Sequence, residues 1–162
     1  MKQFAYLKRG HYLLCAAALA GLTAGAASAQ TGEPGVGVND RQGTFKTVSG
    51  QVTVAHGDVR RAAVVGGALS QADRVITGPN SAAAVVLRDG TVLSVSPNSE
   101  VDLAQFQFDS TTEDGSLLVK LMQGSLRMIT GAIAKTNPAQ VKVTTPTTVV
   151  GVRGTDFIVE TQ

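Results

Sequence analysis

Apolar and polar residues alternate in short runs from about residue 44 onward, and turn residues separate the runs. A period of two, rich in β-branched residues, predicts strands rather than helices. Phe45, Val48, Val52 and Val54 fall in two such runs around Ser49-Gly50. Val59, residues 62–65 and Leu69 predict a strand pair around Gly66-Gly67, and residues 72–77 a short strand ending at Gly78-Pro79-Asn80. Residues 82–88 and 91–96 flank Asp89-Gly90, and a two-residue Asp-Gly loop predicts a hairpin with both loop residues at positive φ. That loop pairs Arg88 with Thr91, Val86 with Leu93 and Ala84 with Val95. Apolar residues then occupy both faces, so layers are expected on each side of the hairpin.

After the turn Pro97-Asn98-Ser99, residues 100–109 alternate until Ala104 breaks the phase, which predicts a bulge. Residues 110–115 form a polar loop, and a second hairpin is expected around Gln123-Gly124. The last run sets Val141 and Val143 against Lys142 and Thr144, then Phe157 and Val159 against Asp156 and Ile158. Pro146 marks a strand end between them, and Gly151 and Gly154 a bulge or a close backbone approach. No capped, 3.6-period helix follows the first 29 residues. The pattern predicts about ten short strands in an all-β sandwich, barrel or solenoid, with repeated strand-glycine-strand units suiting stacked β-coils.

Residues 1–29 read differently. Lys2, Lys8 and Arg9 precede an apolar segment over residues 12–22, and Ala27-Ser28-Ala29 precedes Gln30. This is the form of a cleaved signal peptide; an uncleaved anchor is the alternative, since a span needs about 20 apolar residues. Cys15 lies at the start of the apolar segment, not at its end as in a lipoprotein signal. Residues 30–43 read as a flexible lead-in, and residues 44–162 as one β-domain.

Removing the leader changes the charge. The 14 basic residues fall to 11 against 12 acidic ones, and the single cysteine is lost. No basic stripe then argues for nucleic acid, and no disulfide framework or cysteine metal site exists. With no Trp in the chain and both Tyr in the leader, there is little to stack on a sugar.

Chemistry is sparse in what remains. His56 is the one histidine past the leader and reads as an exposed turn residue, with no cysteine, second histidine or close carboxylate pattern to make a site. Asp58, Asp73, Asp89, Asp109, Glu113 and Asp114 fall at turns, where carboxylates cap backbone, and Glu113-Asp114 does not match an EF-hand loop. Arg60-Arg61 reads as a solvated doublet, and Met122 and Met128 as core rather than copper ligands. Arg153 is the only charge between Lys142 and Asp156. A guanidinium among valines must use its donors, either on backbone and carboxylates across the bulge or on an anionic ligand. With no Gly-x-Ser-x-Gly elbow, no enzyme and no cofactor is expected.

Thr145-Pro146, Val152-Arg153-Gly154-Thr155, Phe157 and Val159 resemble the closing signature of the FecR domain. The resemblance runs back through Asp73-Arg74-Val75-Ile76-Thr77-Gly78, Ser81, Val86-Leu87-Arg88-Asp89-Gly90-Thr91, residues 117–119 and Gln123-Gly124, and covers roughly residues 48–159. It implies a compact, twisted, solenoid- or sandwich-like stack of short strands and hairpins. It makes Asp89, Gly90, Thr145, Pro146, Arg153, Gly154, Thr155 and Phe157 family-motif residues, structural in role. The family's named member senses through an outer-membrane, TonB-dependent transporter and controls a sigma factor across the inner membrane. Lacking a cytoplasmic segment, this sequence resembles only the exported domain, as an interaction or scaffolding module in the periplasm. A further strand pair usually follows the signature in the family, so the last strand is expected to be an open edge. Thr155, Asp156, Ile158 and Glu160 would then meet an envelope protein that adds a strand. The alternative is a carbohydrate-binding or structural β-module of the envelope.

Overall fold

Residues 40–152 and 156–161 are described by the computed structural model. The leader, most of the lead-in and Arg153, Gly154 and Thr155 lie outside the described residues. Alternation of inward and outward side chains carries twelve strands: β1 Arg41–Ser49, β2 Val52–His56, β3 Val59–Ala62, β4 Ala68–Ser70, β5 Arg74–Thr77, β6 Ala82–Leu87, β7 Val92–Val95, β8 Glu100–Phe108, β9 Gly115–Ile129, β10 Val141–Thr144, β11 Val149–Gly151 and β12 Asp156–Thr161. They form one curled sheet, antiparallel except where β10 runs parallel to β9. Along one half the neighbours run β3-β2-β5-β8-β9-β10-β11, and along the other β4-β1-β6-β7-β9-β12. Phe45, Val85, Leu93 and Leu126 from the second half meet Val54, Val101, Leu103 and Val119 from the first in a single buried core. Each such aliphatic side chain contributes about 1.5–3 kcal/mol by leaving water.

Strand β9 belongs to both halves. Its first part pairs with β8 and β10, its second with β7 and β12. The expected hairpin at Gln123-Gly124 is therefore absent. Gly124 takes φ +87° and bends the strand without reversing it, so each part finds different partners.

The chain crosses between halves at three other corners beside this bend, and the four are laced together. Gly78 N–H donates to Gln51 O (2.9 Å), Thr77 N–H to Ser99 O (2.9 Å) and Ser96 N–H to Ser125 O (3.1 Å). The two middle corners repeat one device at a spacing of 18 residues, Pro79-Asn80-Ser81 and Pro97-Asn98-Ser99. Both asparagines take φ +53°. Ser81 Oγ accepts from Gln51 N–H (2.8 Å) and donates to Pro79 O (3.0 Å); Ser99 Oγ accepts from Ser125 N–H (3.0 Å) and donates to Pro97 O (3.1 Å).

Four further expectations need correction or refinement. The β6–β7 loop is Arg88-Asp89-Gly90, not Asp89-Gly90: Gly90 N–H donates to Leu87 O (3.0 Å), Leu87 N–H to Thr91 O (2.9 Å), and of the loop residues only Gly90 has positive φ. This is the three-residue loop with a glycine bulge. The register is one residue off the expected one, Val85 opposite Leu93 and Ala83 opposite Val95, so Val85 and Leu87 face the core and Val86 and Val92 face out. β3 and β4 do not pair with each other; β3 joins β2 and β4 joins β1. A short helix, α1 Ala132–Thr136, occupies the expected connection; it has no side-chain cap and is held by its buried Ile133. β1 starts at Arg41, inside the expected lead-in, because Gly43 lets the backbone lie against Leu87 and Val85. The bulge expected at Ala104 is present, between Leu103 and Gln105.

Candidate functional site

The final strand offers the most exposed chemistry. β12 pairs with β9 from Asp156 opposite Ile129 to Thr161 opposite Gly124, and among the described residues no strand lies on its other edge. Val159 is buried and Phe157 packs against the core, while Ile158 is 61% exposed between Asp156 and Glu160. Arg127 grips Asp156 with two bonds, Nε to Oδ1 (2.9 Å) and Nη2 to Oδ2 (2.6 Å), and Glu160 accepts from Ser125 Oγ (3.2 Å). The Arg127 bonds hold the Asp156 carboxyl below its ordinary range and the guanidinium above its own. Arg127→Ala is expected to return Asp156 to an ordinary carboxylate titration, read as an upward shift of its side-chain carbon resonance midpoint in NMR.

Other motif residues sit at turns and tips. Thr145 and Pro146 lie in the β10–β11 turn, where Thr145 N–H donates to Thr148 O (2.8 Å) and Thr148 N–H to Thr145 Oγ1 (3.1 Å). Asp89 is buried; its carboxylate accepts from Thr91 N–H (3.0 Å) and Thr91 Oγ1 (2.7 Å), and its carbonyl from Ala132 N–H (2.8 Å). Gly131 N–H donates to Thr91 Oγ1 (3.0 Å), so the tip of the β6–β7 hairpin is pinned to the start of α1. No side chain fits at Gly131, whose Cβ would collide with the Asp89 and Thr91 backbone.

A second cluster was not legible in the sequence. His56 ends β2, and its Nδ1 lies 2.8 Å from Asp73 Oδ1 across 17 residues of chain. The absence of a carboxylate partner expected for His56 is thus corrected: the β4–β5 loop supplies one. Asp73 is buried, and its Oδ2 accepts from Arg61 Nη2 (3.0 Å) and Ser70 N–H (2.9 Å), while Arg61 also donates to Ala68 O (2.8 Å). The cluster ties β2, β3, β4 and β5 together. Ser70 Oγ is buried beside it and makes no hydrogen bond to His56 or any other described group.

Next to it, a cross-strand row on the outer face reads Arg60, Ala55, Arg74, Asp102, Lys120. Arg74 bonds Asp102 through Nε (2.6 Å) and Nη2 (2.9 Å) and reaches Glu100 through Nη1 (2.6 Å). The small Ala55 leaves a groove of about 300 Å³ between Arg60 and Arg74. Both acids of that groove are committed to Arg74. Among the described residues no three His, Cys, Asp or Glu side chains group to hold a metal ion, and no helix is long and apolar enough to cross a membrane.

Comparison with known families adds one decisive observation: the model of the FecR protein family matches residues 73–162. The chain belongs to the FecR family. No curated protein and no solved structure matches it. The FecR match begins at Asp73, the carboxylate that gathers His56, Arg61 and Ser70. The preceding strands still belong to the same sheet, since β1 pairs with β6 and β2 with β5. In this FecR chain the pairs Asp89-Gly90 and Thr145-Pro146 occupy turns that lock neighbouring elements; Arg153, Gly154 and Thr155 lie outside the described residues.

Proposed function

We propose that this chain is an exported FecR-type β-domain that works as a protein-interaction or scaffolding module in the periplasm, with a partner adding a strand to β12. The observation that carries the reading is the outer edge of β12, which no described strand covers and which sets Ile158 between two acids. Open edges of this kind pair with extended segments, main-chain bonds giving affinity and alternate side chains selecting the partner. The hydrogen bonds between corners favour the solenoid-like stack that the family resemblance implies, and they tie together the strands behind that edge. A sugar platform has less support: Phe45 and Phe106 are buried, and Phe108 and Phe157 pack against the core.

A photo-reactive residue at position 158 tests this in cells. We expect one specific adduct with an envelope protein, in a periplasmic fraction whose chain begins at Gln30. A chain that stays unadducted there, or that is retained with residues 1–29 in the cytoplasm, would sink the reading.

A further inference from the structure

Exposed aliphatic residues are not scattered over this molecule. Of the seven large ones, five lie on edge strands or in the connection between two of them: Val59 on β3, Val64 and Val65 between β3 and β4, Val149 on β11 and Ile158 on β12. β3 is also an open edge, pairing only with β2, as β4 pairs only with β1 and β11 only with β10 among the described residues. The β3 and β12 edges differ in charge. β3 carries Arg60 and Arg61, and β12 carries Asp156 and Glu160. Arg61 and Asp156 are each satisfied at home, by Asp73 and by Arg127. Arg60 and Glu160 make no ion pair among the described residues, and both are exposed.

Neither edge suits its own copy. Two β12 strands paired antiparallel about Ile158 would set Asp156 against Glu160 on both sides, and two β3 strands would face arginine doublets. β3 against β12 has the opposite outcome. An antiparallel register with Arg60 opposite Glu160 sets Ala62 opposite Ile158, so the large side chain lies beside a small one on the same outer face.

We propose that the β3 edge of one copy docks on the β12 edge of a second copy, head to tail. This rests on reading β12 as an open edge, and it names the occupant of that edge as this same chain. Such a contact is heterologous: each copy keeps one edge free, so association continues into short chains of molecules unless a rotation closes it.

The test uses protein purified from the envelope as the cell makes it, in a Cys15→Ser background. Ala62→Cys and Ile158→Cys are made in separate chains and treated with a short bismaleimide. We expect a crosslinked dimer only when the two variants are mixed. In sedimentation, Arg60→Glu should weaken self-association at least tenfold, Glu160→Arg likewise, and mixing those two variants should restore pairing through the swapped contact. Such rescue separates a direct contact from damage to the fold. Crosslinking of either cysteine variant alone as strongly as the mixture would overturn the head-to-tail geometry. A monomeric mixture with no crosslink would overturn the proposal itself. If position 158 captures a different envelope protein while the pure chain stays monomeric, strand addition at β12 stands and the second copy is ruled out as its occupant.

Discussion

Gly124→Ala is expected to lower stability by about 3–4 kcal/mol, read as a shift of the urea midpoint at unchanged slope. Two costs combine. The residue sits at φ +87°, where a side chain costs about 1–2 kcal/mol. A Cβ there would also run into Ser99 Oγ and stand 2.7 Å from Asn98 O and Ser99 Cα. Backbone cannot give way cheaply, and forced packing of this kind costs about 1–3 kcal/mol. Gly57→Ala is the control: Gly57 has φ +57° but nothing within 4 Å of the added Cβ. It should lose only the conformational part, about 1 kcal/mol. Gly50→Ala should behave like Gly124→Ala, because Ser81 crowds Gly50 as Ser99 crowds Gly124. Equal losses at Gly57 and Gly124 would mean that the corner is not tightly packed.

Asp73→Ala is expected to cost about 2–3 kcal/mol. The change strands the Ser70 N–H and removes the acceptor of the Arg61 guanidinium. A buried donor left without a partner costs about 1–3 kcal/mol. His56 adds little to the loss, since its ring is 60% exposed and water replaces the carboxylate. Asp73→Asn keeps one acceptor and should lose less than Asp73→Ala. Asp102→Ala, on a carboxylate closer to solvent, should lose under about 1 kcal/mol. Chemical denaturation of the four proteins gives the ranking, and an Asp73→Ala loss no greater than that of Asp102→Ala would show that the cluster does not hold β2 to β5 together.

Strand positions were legible because one face of nearly every strand is buried, which writes a period of two into the sequence. Val52 and Val54, Val101 and Leu103, and Val141 and Val143 all follow it. Pairing was not legible. The one-residue slip at Arg88-Asp89-Gly90 depends on Asp89 bonding Thr91, and no alternation reveals that when both faces of the hairpin carry valines. The continuity of β9 was hidden for a related reason: a glycine at positive φ reverses or merely bends a strand according to which neighbours lie beside it, and those come from distant segments. The His56–Asp73 contact belongs to the same class. Of the edge residues, Asp156, Ile158 and Glu160 could be read as outward-facing from alternation, yet the Arg127 clamp on Asp156 could not.

Strand β9 has a kinetic consequence. It supplies the centre of both halves, and its four partners are brought to it from before residue 109 and after residue 140. Until residues 115–129 are available, β7 and β8 have only one neighbour each, and the strands before them form an unclosed ribbon. Sheets dominated by such distant pairings fold in milliseconds to seconds rather than microseconds. Under the proposed export, that delay would let most of the chain cross the membrane before a stable native structure closes.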